Sequence, residues 1–72
     1  MAITLKDMKL IFTVSGESLT RTVTDMEGKV IWESVTPEAT EVDRSEEGLD
    51  AYEIQMRELP FWNIVQVERI IE

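Results

Sequence analysis

Between residues 9 and 35 bulky and small side chains alternate with a period of two, and the alternation breaks twice, each time at a glycine. In the first run Leu10, Phe12 and Val14 point one way and Ile11, Thr13 and Ser15 the other, which is the pattern of a half-buried strand. Ser15-Gly16 interrupts it, because glycine enters positive φ without a steric penalty. The second run, residues 19–25, sets Leu19, Arg21 and Val23 against Thr20, Thr22 and Thr24. A threonine row of this kind suits a pleated, half-wet sheet face. Asp25-Met26-Glu27-Gly28 has an aspartate at the first turn position and glycine at the left-handed one. Residues 29–35 then form the third strand, so two successive hairpins predict an antiparallel meander.

Ahead of the meander, residues 1–8 read as an arm in which Ile3 and Leu5 alternate with Thr4 and Lys6 and extend or flank the first strand. Behind it, Thr36-Pro37 ends the third strand, since proline cannot donate to a ladder. Residues 44–59 predict a helix. Asp43 and Glu46 stand at capping-box spacing, acids crowd the first turn, and Leu49, Tyr52, Met56 and Leu59 recur as a narrow apolar stripe. Pro60 supplies the stop. Gly48, which costs about 1 kcal/mol inside a helix, and Ile54, which falls among the acids, oppose this assignment. The rival is a strand with Tyr52, Ile54 and Met56 on one face.

Phe61-Trp62-Asn63 connects to a last strand, residues 64–71, with Ile64 and Ile70 on one face and Val65, Val67 and Ile71 on the other. Apolar residues on both faces predict a strand interior to the sheet. The fold expected is α+β in the order βββαβ: one small domain over residues 1–72, an antiparallel sheet with one helix packed on one face. Were residues 44–59 a strand, the alternative is an all-β meander or small barrel.

Composition narrows the function. At 72 residues the chain buries only roughly 60% of its unfolded surface. It has no cysteine and no histidine, which removes disulfides, the Ser-His and Cys-His nucleophile pairs and the usual zinc sites. No cofactor is expected. A carboxylate pair could in principle hydrolyse glycosides, but so short a chain does not easily wrap a sugar, and the expectation is a protein that is not an enzyme. Asp43-Arg44-Ser45-Glu46-Glu47-Gly48 mimics the start of an EF-hand loop, yet its twelfth position is Ile54 rather than the bidentate glutamate. A capped helix start explains the segment better. Charge precedes any apolar run at the N-terminus and no stretch approaches a membrane span; a soluble, cytoplasmic protein is expected.

The formal net charge is −8, and six of those negative charges fall within residues 36–58. This opposes direct binding to nucleic acid or to anionic membranes and permits a protein partner with a basic surface. One expectation is therefore a binding module that places Glu38, Glu41, Asp43, Glu46, Glu47, Asp50 and Glu53 on a basic, nucleic-acid-binding groove, where carboxylates at helical spacing substitute for phosphates. The same run can also be no more than a solvated face. In size and acidity the chain is similar to phage and mobile-element inhibitors of host nucleases, polymerases or CRISPR effectors, an analogy that rests on no shared motif. Phe61 and Trp62 either complete the core or present an aromatic anchor to the partner. The second expectation is a self-associating structural or accessory subunit, a homodimer joined through sheet edges or the Phe61–Trp62 patch.

Overall fold

The computed structural model describes residues 5–72 and contains four strands and two consecutive helices: β1 Asp7–Ser15, β2 Ser18–Asp25, β3 Val30–Thr36, α1 Glu41–Arg44, α2 Glu46–Glu58 and β4 Asn63–Ile71. Ile3 and the first half of the expected arm lie outside the described residues, while Asp7 and Met8 belong to β1. Both turns form where glycine permits them. Gly16 has φ 60° and Gly28 φ 93°. The Asp25 carboxylate accepts the N–H groups of Glu27 and Lys29, both at 2.9 Å, an Asx turn that closes the β2–β3 hairpin.

The α+β class and the βββαβ order hold, but the sheet is mixed. Its spatial order is β3-β2-β1-β4, antiparallel except that β4 runs parallel to β1. The reason is the length of α2. Its 13 residues rise about 20 Å, close to the length of a strand, and return the chain to the end of the sheet at which β1 starts. From there β4 can only run in the direction of β1. β4 takes the side of β1 that β2 leaves free, and is an edge strand, not an interior one. Ile64 is buried and Val67 half-buried on the helix side, whereas Val65, Ile70 and Ile71 are exposed. Both edge strands carry one extra residue in the same cross-sheet region, Ile31 beside Val23/Thr24 and Val65 beside Met8/Lys9. Such bulges twist an edge away from further pairing.

The core lies between the sheet and α2. Leu10, Phe12, Val14, Leu19 and Val23 from the strands meet Leu49 and Met56 from the helix, with Tyr52 and Leu59 packed against them. The apolar stripe read from spacing is therefore the buried stripe, and the rival strand over residues 44–59 does not form. Ile54 is 58% exposed on the far side. Phe12 and Tyr52 meet edge to face at 6.1 Å. Arg21 enters the same layer with its guanidinium 4.3 Å above the Tyr52 ring. Its Nη2 donates to Ser34 Oγ and Thr36 Oγ1, so hydroxyls and a π face hold this cation in place of a carboxylate.

Candidate functional site

The segment leading out of β3 starts two helices in quick succession. Thr40 caps α1, its hydroxyl oxygen accepting the Asp43 N–H at 3.1 Å. Ser45 caps α2, accepting the Gly48 N–H at 3.2 Å while its own hydroxyl donates to the Val42 carbonyl at 2.6 Å. The expected cap at Asp43 is thus replaced by Ser45, and Asp43 becomes part of the preceding helical turn. Asp43 and Ser45 are comparable caps by type. A break at residue 45 gives the backbone two capped starts where one was anticipated, and acids collect at both: Glu41 and Asp43 in α1, Glu46 and Glu47 in α2. Carboxylates are favourable there because unpaired N–H groups and the helix dipole are positive at that end.

Gly48 explains how the two helices close on each other. A Cβ at this position would stand 2.0 Å from the Val42 carbonyl oxygen and 2.9 Å from Asp43 Cα. Glycine is needed here for backbone approach, and this outweighs its poor helix propensity.

Arg44, the one cation between Glu38 and Glu47, is directed inward. Its Nε donates to the Ala39 carbonyl and its Nη1 to the Gly16 carbonyl, each at 3.1 Å. Together with the bond from Ala39 N–H to the Glu17 carbonyl at 2.8 Å, these pin α1 to the β1–β2 turn. Glu17, which the charge count by segment overlooked, joins the acids at this end of the sheet. Glu17, Glu38, Glu41, Asp43, Glu46 and Glu47 are all exposed, and among the described residues none of them has an ion-pair partner.

The other two carboxylates of the predicted set behave differently. Asp50 pairs with Arg69 of β4, and Glu53 with Arg57 at 3.3 Å and with Arg69 at 3.9 Å. They are neutralised by the chain's own arginines and drop out of the candidate surface. Arg57 also donates to the Ile64 carbonyl at 2.6 Å, so this cluster ties α2 to the edge strand.

Phe61 and Trp62 stand at the opposite end of α2, a helix length away from the free acids. Phe61 is 63% exposed. Trp62 is half-buried and meets Trp32 at 6.2 Å between ring centroids, with Phe61 against its other side at 5.8 Å. One of the pair completes the core and the other is left on the surface. The nine residues therefore do not form one patch: five acids gather at one end, two are internally paired, and the aromatics mark the other end. No concave pocket is found among the described residues, and no cluster of three or more acidic side chains has a metal-holding arrangement there.

The chain matches no family model, and comparison with curated proteins and with solved structures returned no match.

Proposed function

We propose that the protein is a non-enzymatic binding module whose acidic end docks on the basic, nucleic-acid-binding surface of another protein, in the manner of an inhibitor that competes with nucleic acid. The observation that carries this reading is the set of exposed carboxylates at residues 17 and 38–47 with no ion-pair partner among the described residues, at an end where Arg44 is committed to backbone carbonyls. Unpaired negative charge held by a folded scaffold steers a basic partner at long range and positions acidic oxygens against groups that otherwise hold phosphate. Phe61 lies at the far end of α2, too far from the acids to share their contact. The proposal includes a cytoplasmic setting, where nucleic-acid-handling partners are found. No helix among the described residues is long and apolar enough to cross a membrane.

The test is capture of partners from a host lysate on the immobilised chain, with elution by salt and by competing duplex DNA. The expected partner is a nucleic-acid-binding protein that both agents release. Replacing Glu41, Glu46 and Glu47 together by lysine should weaken its binding by about 100-fold or more. Asp50→Asn with Glu53→Gln should change it by less than about threefold, since those acids are already paired. Binding that ignores salt, or that survives the triple reversal, removes the proposal.

A further inference from the structure

The helices cover one face of the sheet only. By the strand registers and the alternation of side chains, the other face carries Asp7, Lys9, Ile11 and Thr13 of β1 and Thr20, Thr22 and Thr24 of β2; Thr22 and Thr24 are buried, whereas Ile11, Thr13 and Thr20 are half-buried. Val35 of β3 lies opposite Thr20, and Ile70 of β4 opposite Thr13, so an apolar side chain closes each end of the Thr20–Thr13 row. Val35 is 54% and Ile70 42% exposed. The ionised groups of this face, Asp7, Lys9, Glu33 and Glu68, lie outside that row. Lys9 pairs with Glu68 at 3.2 Å, and Glu33, on the other edge strand, accepts a bond from the Thr22 hydroxyl at 3.3 Å. With Asp7 included, the face sums to −2 in a chain of −8.

We infer that this open face is a homodimer interface, in which two copies pack sheet on sheet with α1 and α2 outside. Three arguments select a second copy over a foreign partner. The first is charge: a copy carries the same −8, and this is the face on which like-charged chains approach with least repulsion. The second is chemistry: a threonine hydroxyl both donates and accepts, so Thr13 and Thr20, cross-strand neighbours and the threonines of this face that are not buried, are complementary to their own copies in any polarity, as an isologous interface demands. The third is layout, since the row Val35–Thr20–Thr13–Ile70 is uncharged and the ionised side chains lie outside it, as at the core of an interface. The area sets the strength. Four strands about 4.8 Å apart and some 27 Å long give roughly 500 Å² per copy, below the ~800 Å² of a standard interface. The dimer should accordingly be weak, with half-dissociation at about 10–100 μM. This inference is independent of the acidic end, which lies with the helices and stays exposed in such a dimer.

Sedimentation equilibrium of the full chain tests it, at about 1 to 500 μM protein and in low and high salt. The expected result is a monomer–dimer equilibrium that strengthens with salt, because screening removes like-charge repulsion. Docking of the acidic end on a basic partner must weaken with salt, so the two ideas fail separately. Thr13→Lys with Thr20→Lys should shift dissociation at least tenfold toward monomer. Val35→Lys with Ile70→Lys repeats the test at exposed positions where folding is not at stake, with circular dichroism as the check. A monomer at every concentration overturns the inference. So does a dimer that survives both lysine pairs, and a dimer lost on Phe61→Ala assigns association to the aromatic end instead.

Discussion

The start and the middle of α2 hold carboxylates of similar density and opposite fate. At the start, Glu46 and Glu47 follow Glu41 and Asp43 of α1, exposed and unpaired, facing only the positive ends of two short dipoles. One to two turns further on, Asp50 and Glu53 lie beside Arg69 and Arg57. The chemistry of the side chains is the same; the neighbouring element differs. The helix start projects past the sheet toward the β1–β2 turn, whose contribution is backbone carbonyls and Glu17, whereas the middle lies along β4 and meets its arginine. Density of charge along a helix therefore says little about its potential until the element beneath is known. Unpaired acids are available to a partner, and paired ones fasten helix to sheet.

The largest expected effect comes from disturbing the junction that creates the free end. Gly48→Ala removes a helix glycine, a change that in an open helix stabilises by about 1 kcal/mol. Here the added carbon meets the Val42 carbonyl at 2.0 Å, and backbone cannot yield as a side-chain tip does. Overpacking of this kind costs about 1–3 kcal/mol. The variant should be destabilised by about 1–2 kcal/mol in urea unfolding, and α1 should be displaced with its two acids. A variant more stable than the parent would mean that α1 does not dock as described.

A smaller effect sharpens the comparison from the other side. Arg69→Gln frees Asp50 and relaxes Glu53, converting the middle of α2 toward the condition of its start. Asp50 is 64% open, whereas Arg69 and Glu53 are 26% and 28% exposed, and with one partner in water stability should fall by about 1 kcal/mol. Binding to a lysine-rich peptide, measured by calorimetry at low salt, should tighten about two- to threefold as the Asp50 carboxylate becomes available, Glu53 keeping its pair with Arg57. No change in that affinity would mean that the bridges do not screen the acids, and the division between free and paired charge would lapse.

The strands were legible because each rests on local physics: alternation in residues 9–15 and 19–25, and glycines where the backbone turns through positive φ. The buried stripe of α2 was legible for the same reason. Other features needed the third dimension. Ser45 and Asp43 are comparable caps, and only the docking of α1 on Gly48 decides between them. Val65 and Ile70 read as interior to a sheet because apolar residues on both faces usually mean two neighbours; here one of them is a bulge and the other belongs to an uncovered face. The pairing of Asp50 with Arg69 spans 19 positions and exists only because β4 lies beside β1. The acidic segment was visible as a charge count, but which acids remain unpaired depends on that strand order.

The smallest effect concerns a carboxylate spent entirely within the fold. Asp25 accepts the backbone N–H of Lys29 and that of Glu27, and these bonds to its charged form, the Lys29 bond first, hold its carboxyl below the usual aspartate value of 3.8. A folded-state value below the unfolded one means that the contribution is fully present above pH 3.8 and lost as pH falls through the lowered value. The β2–β3 turn should loosen at acid pH before the sheet does, seen as a lower protection factor, corrected for the intrinsic exchange rate at each pH, at the Lys29 and Glu27 amides while the β1–β2 ladder stays protected. Asp25→Asn keeps an oxygen acceptor at that position and removes the charge, so it should preserve the turn and abolish its pH dependence. If the Lys29 amide still responded to acid in that variant, the proton would be acting elsewhere, and Gly28 alone would set the turn.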